Sequence, residues 1–279
     1  MRGRGVSHGA ATIVNAIAHG KGAAFGIDLS TSAEVHLHQG EGVEVELQDD
    51  EDPSLAVRCV RNVLESYSPD RDMGALVRTE SNIPISRGLK SSSAAANAVV
   101  LATMDALSIE IDPLDAIRIG TRSSVEAGVS VTGAFDDAAA CLLGGVVVTD
   151  NSSEELLKRD RLPQDIRALI HVPDRKIRKG SLPLDRIRSM APIARTAFDL
   201  AMDGDYFWAM TMNGICYSAI LDLDQELAME AMRKGALSAG VSGTGPATVI
   251  LVREDCLEDL LGELVDWELM EVGLNHGEA

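Results

Sequence analysis

The most constraining feature of this 279-residue chain is the stretch 84–96 (PISRGLKSSSAAA), where a glycine turn precedes three serines and three alanines. Residues 94–107 are almost all alanine or other apolar types, which predicts a buried helix beginning near Ser91. The first turn of a helix has unpaired N–H groups and a partial positive charge. A phosphate can bind there, and serine hydroxyls can add bonds or ligate Mg²⁺. The alternative is an ordinary serine N-cap on a core helix.

Composition allows a large core and argues against several classes of protein. The chain is 46% hydrophobic, enough for one large domain or two smaller ones. Its formal net charge is −18, so we do not expect it to bind nucleic acid. The most apolar stretch, 138–148, is too short to span a bilayer. No secretory signal is recognisable after Met1, so we expect a cytoplasmic protein that does not bind membranes.

Cysteines and histidines do not form a recognisable metal motif. Four cysteines are scattered along the chain without a CxxC pair, which predicts free thiols in a reducing compartment: Cys59, Cys141, Cys216 and Cys256. His36 and His38 share one face of a predicted strand, and we interpret them as a surface pair.

Apolar periodicity predicts an α+β fold with mixed or antiparallel sheets. Alternating residues at 33–38 and 43–47 flank a glycine-containing turn and predict a β-hairpin. Helices are predicted at 54–67, 113–126, 191–202, 206–220 and 224–237, and further strands at 75–80 and 246–252. The most polar stretch, 150–165, is the predicted boundary between two domains, 1–155 and 156–279.

Three glycine-bearing elements are candidates for building one site. They are residues 88–93, residues 240–246 (GVSGTGP) and a predicted tight loop at 20–28 that ends in Asp28. The Walker A pattern and the dinucleotide fingerprint GxGxxG are both absent from the sequence, which disfavours those two nucleotide-binding folds.

Acidic residues lie between these glycine elements. Glu126 ends a predicted helix, and Asp136 and Asp137 precede an apolar run, where buried carboxylates are costly unless they bind something. One of them can accept a hydroxyl proton or orient a nucleophile while another holds Mg²⁺. The alternative is that Asp136 or Asp137 caps the following helix.

The pattern Gly88-Leu89-x-Ser91-Ser92-x-Ala94, preceded by Pro84, resembles the phosphate loop of the GHMP kinases. Residues 242–246 are similar to the third motif of that family, and residues 12–28 to its first. The resemblance implies a two-domain fold, with an N-terminal mixed-sheet nucleotide domain and a C-terminal ferredoxin-like α/β sandwich.

Lys90 stands where most of the family has glycine, and GLKSSSA resembles the archaeal shikimate kinases within that family. The openings at 2–5 and 133–137 resemble the same branch. This implies ATP-dependent phosphorylation of the 3-hydroxyl of shikimate with Mg²⁺. Homoserine or mevalonate is the alternative acceptor, and a non-catalytic nucleotide-binding protein is the alternative class.

The resemblance also implies roles for single residues. Asp137 falls on the catalytic aspartate, or Asp136 if the register slips by one. Ser92 and Glu126 fall on the metal ligands, and Thr12 replaces the lysine that some relatives have in the first motif. Lys90 is either a catalytic cation that faces the phosphate or an idle surface lysine. The implied ATP- and phosphate-binding residues are Pro84, Gly88, Leu89, Lys90, Ser91, Ser92, Ser93, Ala94, Gly243, Thr244 and Gly245.

A cationic segment at 175–179 is the densest positive patch of the chain. Because shikimate carries a carboxylate, the candidates for binding it are Arg175, Lys176 and Arg178. The alternative is a solvated loop. We expect ATP and a small-molecule substrate as partners, and a monomer or a homodimer.

Overall fold

Two sheets, of six and four strands, organise the residues that the computed structural model describes, namely 1–47, 52–69, 72–130, 133–174 and 182–277. The strands of the first sheet are β1 (Arg2–Val14), β2 (Lys21–Gln39), β3 (Val43–Glu46), β4 (Met73–Ser81), β5 (Val146–Asp150) and β6 (Glu155–Asp160). Their order is β3-β4-β2-β5-β6, and β1 also pairs with β2. Only the β3–β4 pair is parallel among these described strands, so the sheet is mixed.

The second sheet is antiparallel and has the order β10-β7-β9-β8. Its strands are β7 (Ile166–His171), β8 (Ser238–Val241), β9 (Thr248–Arg253) and β10 (Met270–Val272). In chain order this is 4-1-3-2, with helices between β7 and β8 and between β9 and β10. That arrangement is the expected ferredoxin-like sandwich.

The helices lie mainly between these strands in the chain. They are α1 (Ser54–Tyr67), α2 (Ser91–Leu107), α3 (Pro113–Glu126), α4 (Phe135–Leu143), α5 (Leu184–Ser189), α6 (Ala191–Asp203), α7 (Tyr206–Leu221), α8 (Glu226–Arg233) and α9 (Leu257–Glu263). Within the described ranges, none is long and apolar enough to cross a bilayer.

Helices α1 and α3 have the bounds that the sequence predicts. For α3 the reason is local: the Asp112 side chain accepts a hydrogen bond from the backbone N–H of Leu114 at 2.8 Å, and Pro113 occupies the first turn. Helix α8 is shorter than its prediction and ends at Arg233.

The predicted hairpin at 33–47 is wrong. Both runs are strands, but β4 lies between β2 and β3 and pairs with each of them. Alternation of apolar residues identifies a strand and its buried face. The choice of partner depends here on β4, which begins 30 residues after the start of β3. His36 and His38 do lie on one exposed face of β2.

The chain passes from the first sheet to the second between Asp160 and Ile166, inside the polar segment 150–165. A boundary after residue 155 therefore cuts into β6. After β10 the chain returns to the first sheet, where Leu274 pairs with Ile27. The division into two domains at 155 stays a prediction.

One apolar cluster joins the two sheets through α6 and α7, from Phe25 and Val147 of the first sheet to Val249 of the second. A second cluster packs α1 and α2 against β2 and β4 of the first sheet. The four cysteines are free thiols, and Cys59 and Cys141 are buried in these clusters.

Candidate active site

Helix α2 begins as the sequence predicts, but Lys90 occupies its N-cap position in place of a serine. Lys90 has φ 67° and ψ 28°, a left-handed conformation, and makes no side-chain capping bond. The serine N-cap alternative is therefore wrong. Ser86 (φ 58°) and Gly88 (φ 89°) are also left-handed, so the loop alternates in conformation as it enters the helix. Loops of this kind direct successive N–H groups toward one point, where an anion can bind.

The phosphate loop (residues 84–94) lies against the late glycine loop (residues 242–246). The Ser242 hydroxyl donates to the carbonyl of Gly88 at 2.7 Å, and the Ala247 N–H donates to the carbonyl of Arg87 at 3.0 Å. A Cβ on Gly88 would lie 2.1 Å from the Ser242 carbonyl oxygen, so this contact requires glycine. Two of the three predicted glycine elements are thus brought together.

Thr12 of β1 ties these loops to the first sheet. Its N–H donates to the Ser242 hydroxyl at 3.1 Å, and its own hydroxyl accepts from the Gly243 N–H at 2.8 Å. The same hydroxyl accepts from the Lys90 ammonium at 2.7 Å. In the sequence Thr12 is notable only as the residue that replaces a family lysine; the structure gives it three contacts at the site.

Lys90 forms an ion pair with Asp137, with Nζ 2.8 Å from Oδ1. The Lys90 side chain is 6% exposed and that of Asp137 is 15% exposed. The surface-lysine alternative is therefore wrong. The pair joins the start of α2 to the first turn of α4 and fixes the orientation of the Asp137 carboxylate.

Asp136, the neighbour of Asp137, is buried and bonded to Asn151. The amide of Asn151 donates to Asp136 Oδ1 at 2.7 Å, and its oxygen accepts from the Asp136 N–H at 3.2 Å. Burial, and then the charge of Asp137, raise the pKa of Asp136 to about 6, against the opposing effects of Lys90 and Asn151. Neither aspartate is the N-cap of α4, because that position is held by Ala134.

Asn151 is a site residue that the sequence does not reveal, since it lies in the polar segment assigned to a domain boundary. Its side-chain oxygen also accepts from Thr149 at 2.8 Å, which orients the amide toward Asp136. The local sequence hints at a role for Asn151 only through its place in a turn directly after an apolar strand.

The predicted glycine loop at 20–28 is wrong, because residues 21–28 belong to β2. Glycine nevertheless matters there: a Cβ on Gly22 would lie 2.3 Å from Asp136 Oδ2. The N-terminal end of β2 therefore lies against the acidic pair. Asp28, at the far end of this segment, is exposed and its N–H donates to Gly273.

Glu126 is the last residue of α3 and accepts a hydrogen bond from Asn62 of α1 at 3.0 Å. Arg122 lies 4.0 Å from its other carboxylate oxygen. Over the described ranges, no group of three or more His, Cys, Asp or Glu side chains could hold a metal ion. Ser92 is half-buried in the first turn of α2. Arg175, Lys176 and Arg178 lie outside the described residues.

Comparison with known proteins gives one consistent result. Residues 54–145, from α1 through the phosphate loop to the acidic pair, match the family described as GHMP kinases N terminal domain. The chain is 50% identical over 261 residues to a shikimate kinase of Methanothrix thermoacetophila, covering 94% of this chain and 89% of that protein. It is 45% identical to a shikimate kinase of Methanocella arvoryzae, covering 91% and 86%.

Solved structures show the same fold at low sequence identity. The mevalonate kinase of Methanococcus jannaschii superposes with a TM-score of 0.76 and 17% identity, covering 98% of both chains. A homoserine kinase from Cytophaga hutchinsonii superposes with a TM-score of 0.75 and 16% identity, covering 99% of this chain and 96% of that one. Because the shikimate kinases of two archaea are 45–50% identical to it over more than nine-tenths of its length, the chain belongs to the GHMP kinases, in the family of archaeal-type shikimate kinases.

Proposed function

We propose that this kinase transfers the γ-phosphoryl group of ATP to the 3-hydroxyl of shikimate, giving shikimate 3-phosphate and ADP. The observation that carries the chemistry is the Lys90–Asp137 ion pair, which holds a carboxylate beside the start of α2. The choice of acceptor is supported by the relatives that carry the name shikimate kinase at 41–50% identity.

In the proposed reaction, the 3-hydroxyl oxygen forms a bond to the γ-phosphorus while the bond from that phosphorus to the ADP oxygen breaks. The hydroxyl proton passes to the Asp137 carboxylate, which also orients the hydroxyl for in-line attack. Asp137 suits this role better than Asp136, because Asp136 is 4% exposed and its Oδ1 already accepts a hydrogen bond from the Asn151 amide, whereas the Asp137 side chain is 15% exposed. Lys90 keeps a fixed positive charge next to the reacting groups.

The phosphates of ATP are proposed to bind at the start of α2. The unpaired N–H groups of its first turn and the hydroxyls of Ser91, Ser92 and Ser93 are donors for phosphate oxygens. The late glycine loop, with Gly243, Thr244 and Gly245, lies against this turn and completes the cradle. In this proposal Pro84, Leu89 and Ala94 contribute by setting the conformation of the loop.

Ser92 and Glu126 would hold Mg²⁺ in this proposal. A hydroxyl and a carboxylate are oxygen donors, and Mg²⁺ takes such ligands together with waters and substrate phosphates. A bound Mg²⁺ neutralises charge on the phosphates. Asn62 donates to one oxygen of Glu126 and leaves lone pairs on the carboxylate for a further ligand.

A substrate panel tests the proposed function. Purified protein with ATP and Mg²⁺ should release ADP with shikimate at a kcat/KM at least about 100-fold above that with homoserine or mevalonate. Phosphorus NMR of the product should show a single phosphate ester at the 3-position. Turnover of homoserine or mevalonate in preference to shikimate would overturn the acceptor, and no turnover with any of the three would overturn the reaction.

We further propose that the enzyme works in the cytoplasm as a monomer or homodimer, without nucleic-acid or membrane partners. The four free thiols support a reducing compartment, and the net charge of −18 argues against nucleic-acid binding.

A further inference from the structure

Asn97, in the second turn of α2, is a polar residue in an apolar part of the helix. Its side chain is fully buried, and the buried residues of α2 around it, from Ala94 to Val100, are alanines and valines. Its Oδ1 has no hydrogen-bond partner among the described residues. Because a buried polar atom without a partner costs free energy, an apolar side chain would serve better if the position only filled the core.

The other end of the amide donates to the main chain of α4, at the residue that follows Asp137. Asn97 Nδ2 lies 2.9 Å from the carbonyl oxygen of Ala138 and 3.4 Å from the hydroxyl oxygen of Ser7 in β1. The Ser7 hydroxyl donates its proton to the carbonyl of Cys141 at 3.0 Å, so Ser7 accepts from Asn97. Both neighbours of Nδ2 are therefore acceptors, which fixes the end of the amide that faces α4.

The Oδ1 end of the amide faces α3. A Cβ on Gly120 would lie 3.2 Å from Asn97 Oδ1, so α3 approaches the amide at a residue without a side chain. Six residues further on, α3 ends at Glu126, the proposed ligand of Mg²⁺. Helices α2, α3 and α4 each pack on the other two. Asn97 thus lies where the helices that carry the phosphate loop, Glu126 and Asp137 meet.

The Lys90–Asp137 ion pair and the Asn97 amide join α2 to α4 in different ways. The ion pair connects the ends of two side chains. The amide connects a short side chain to the α4 backbone, and so it fixes the place of the first turn of α4 itself. Small displacements of reacting groups are costly in rate, so a fixed backbone beside the phosphate loop has a direct use in phosphoryl transfer.

We propose that Asn97 is a positioning residue, which sets the place of the Asp137 carboxylate relative to the phosphate loop by holding α4 at Ala138 while it abuts α3 at Gly120. Asn97 touches no reacting atom. Its role in phosphoryl transfer rests on the proposed function, whereas its role in holding α4 rests on these contacts.

The first test compares Asn97→Ala with a matched control, Thr103→Ala. Asn97→Ala should fold, because α2 is already rich in alanine and the Ala138 carbonyl keeps its bond within α4. We expect kcat to fall at least about tenfold, with the KM values for ATP and acceptor within about twofold of wild type. Thr103 is also buried on α2, but its hydroxyl donates to Val99 of the same helix at 2.7 Å, so its loss should leave kcat within about twofold.

Two results of this comparison would overturn the positioning role. One is an unchanged kcat in Asn97→Ala. The other is a fall in kcat accompanied by equal rises of both KM values and matched by Thr103→Ala, which would indicate a general loosening of the helix.

Gly120→Ala tests the same contact from α3 and leaves the amide in place. The added Cβ should displace Oδ1 by a few tenths of an ångström, while alanine favours a helix interior over glycine. We therefore expect a melting temperature near that of wild type and a kcat lower by about threefold or more. In the Asn97→Ala background the same substitution should leave kcat unchanged, because the amide is gone. Equal losses in the two backgrounds would overturn a role exerted through Asn97.

A measurement without turnover separates this proposal from the proposed function. Unfolding of wild type, Lys90→Met, Asp137→Asn and the double variant gives a coupling energy, which should fall at least about twofold when the four proteins also carry Asn97→Ala. If wild type phosphorylates an alcohol other than shikimate, the acceptor is wrong, and the kcat comparisons are made with that alcohol. If it phosphorylates none, the proposed function fails; a reduced coupling energy then still supports the role of Asn97 in holding α4, and an unreduced one overturns it.

Discussion

Helices α2 and α4 begin with the same backbone conformation, but the side chains of their first turns differ in charge. Each has a non-glycine residue in the left-handed conformation at its N-cap, Lys90 in one and Ala134 in the other, and neither residue makes a side-chain capping bond. The first turn of α2 then carries serines, whereas that of α4 carries Asp136 and Asp137. One helix start is left open to an external anion, and the other holds its own carboxylates.

The two helix starts are also joined, because the N-cap residue of α2 reaches the first turn of α4. Lys90 pairs with Asp137, and Asn151 takes over the capping role at α4 by accepting from the Asp136 N–H. A few residues thus bring a cation, a carboxylate and the proposed phosphate-binding turn together. The substitutions below separate these parts.

The largest expected effect comes from removing the carboxylate of α4 that faces Lys90. Asp137→Asn should lower kcat by at least about 10²-fold, since in the proposed reaction proton transfer and orientation of the hydroxyl both depend on the Asp137 carboxylate. The measurement is steady-state ADP release at saturating ATP, so that a change in the KM for ATP caused by the lost Lys90 contact is kept apart from the change in kcat. Near-normal turnover would show that the Asp137 carboxylate neither accepts the hydroxyl proton nor orients the hydroxyl.

Breaking the link between the helices should have the next largest effect. Lys90→Met leaves Asp137 buried beside Asp136 without its cation, which should cost about 3 kcal/mol of unfolding free energy. In Lys90→Met/Asp137→Asn the unpaired charge is gone, so the double variant should be more stable than Lys90→Met alone. Urea unfolding of the four proteins gives the coupling energy. Additive losses would contradict an energetically coupled pair.

The elements that carry this site can be predicted from the sequence more fully than the contacts between them. Helices α2 and α3 could each be predicted from local patterns, since apolar periodicity and turn residues act over a few positions. The choice of Asp137 over Asp136 rests on the family resemblance and stays a prediction. The Lys90–Asp137 pair joins residues 47 positions apart, and Asn151 acts on Asp136 from a segment that reads as a linker. Nothing in the local sequence specifies such contacts, because they depend on how the first sheet folds.

The same limit explains the errors in the fold. Glycines at 20–28 suggest a loop, but Gly22 lies in β2, which pairs with β5 there, and it is glycine because the Asp136 side chain occupies the space of a Cβ. The alternating runs at 33–38 and 43–47 suggest a hairpin, but β4 separates them. In both cases the deciding neighbour is distant in sequence.

The buried carboxylate of α4 should give a smaller, pH-dependent effect. Burial and Asp137 raise the pKa of Asp136 from an ordinary 3.8 to about 6, so the folded protein binds more protons than the unfolded chain between these values. At this group stability therefore falls as pH rises from 3.8 to about 6. Asp136→Asn removes that fall, so its stability relative to wild type should increase over the same range and then level off. Parallel stability curves would contradict the raised pKa.

The smallest effect is expected at Thr12, which supports the start of α2 without touching α4. Thr12→Val keeps the shape but leaves the Gly243 N–H and the Lys90 ammonium with one acceptor fewer, which should cost about 1–3 kcal/mol of stability. Thr12→Ser keeps the hydroxyl and is the matched control. Because Lys90 still has Asp137, kcat should fall less in Thr12→Val than in Lys90→Met, while loosening of the Gly243 loop raises the KM for ATP. If Thr12→Val and Thr12→Ser behave alike, the hydroxyl does not tie the phosphate cradle to the first sheet, and Lys90 is positioned by Asp137 alone.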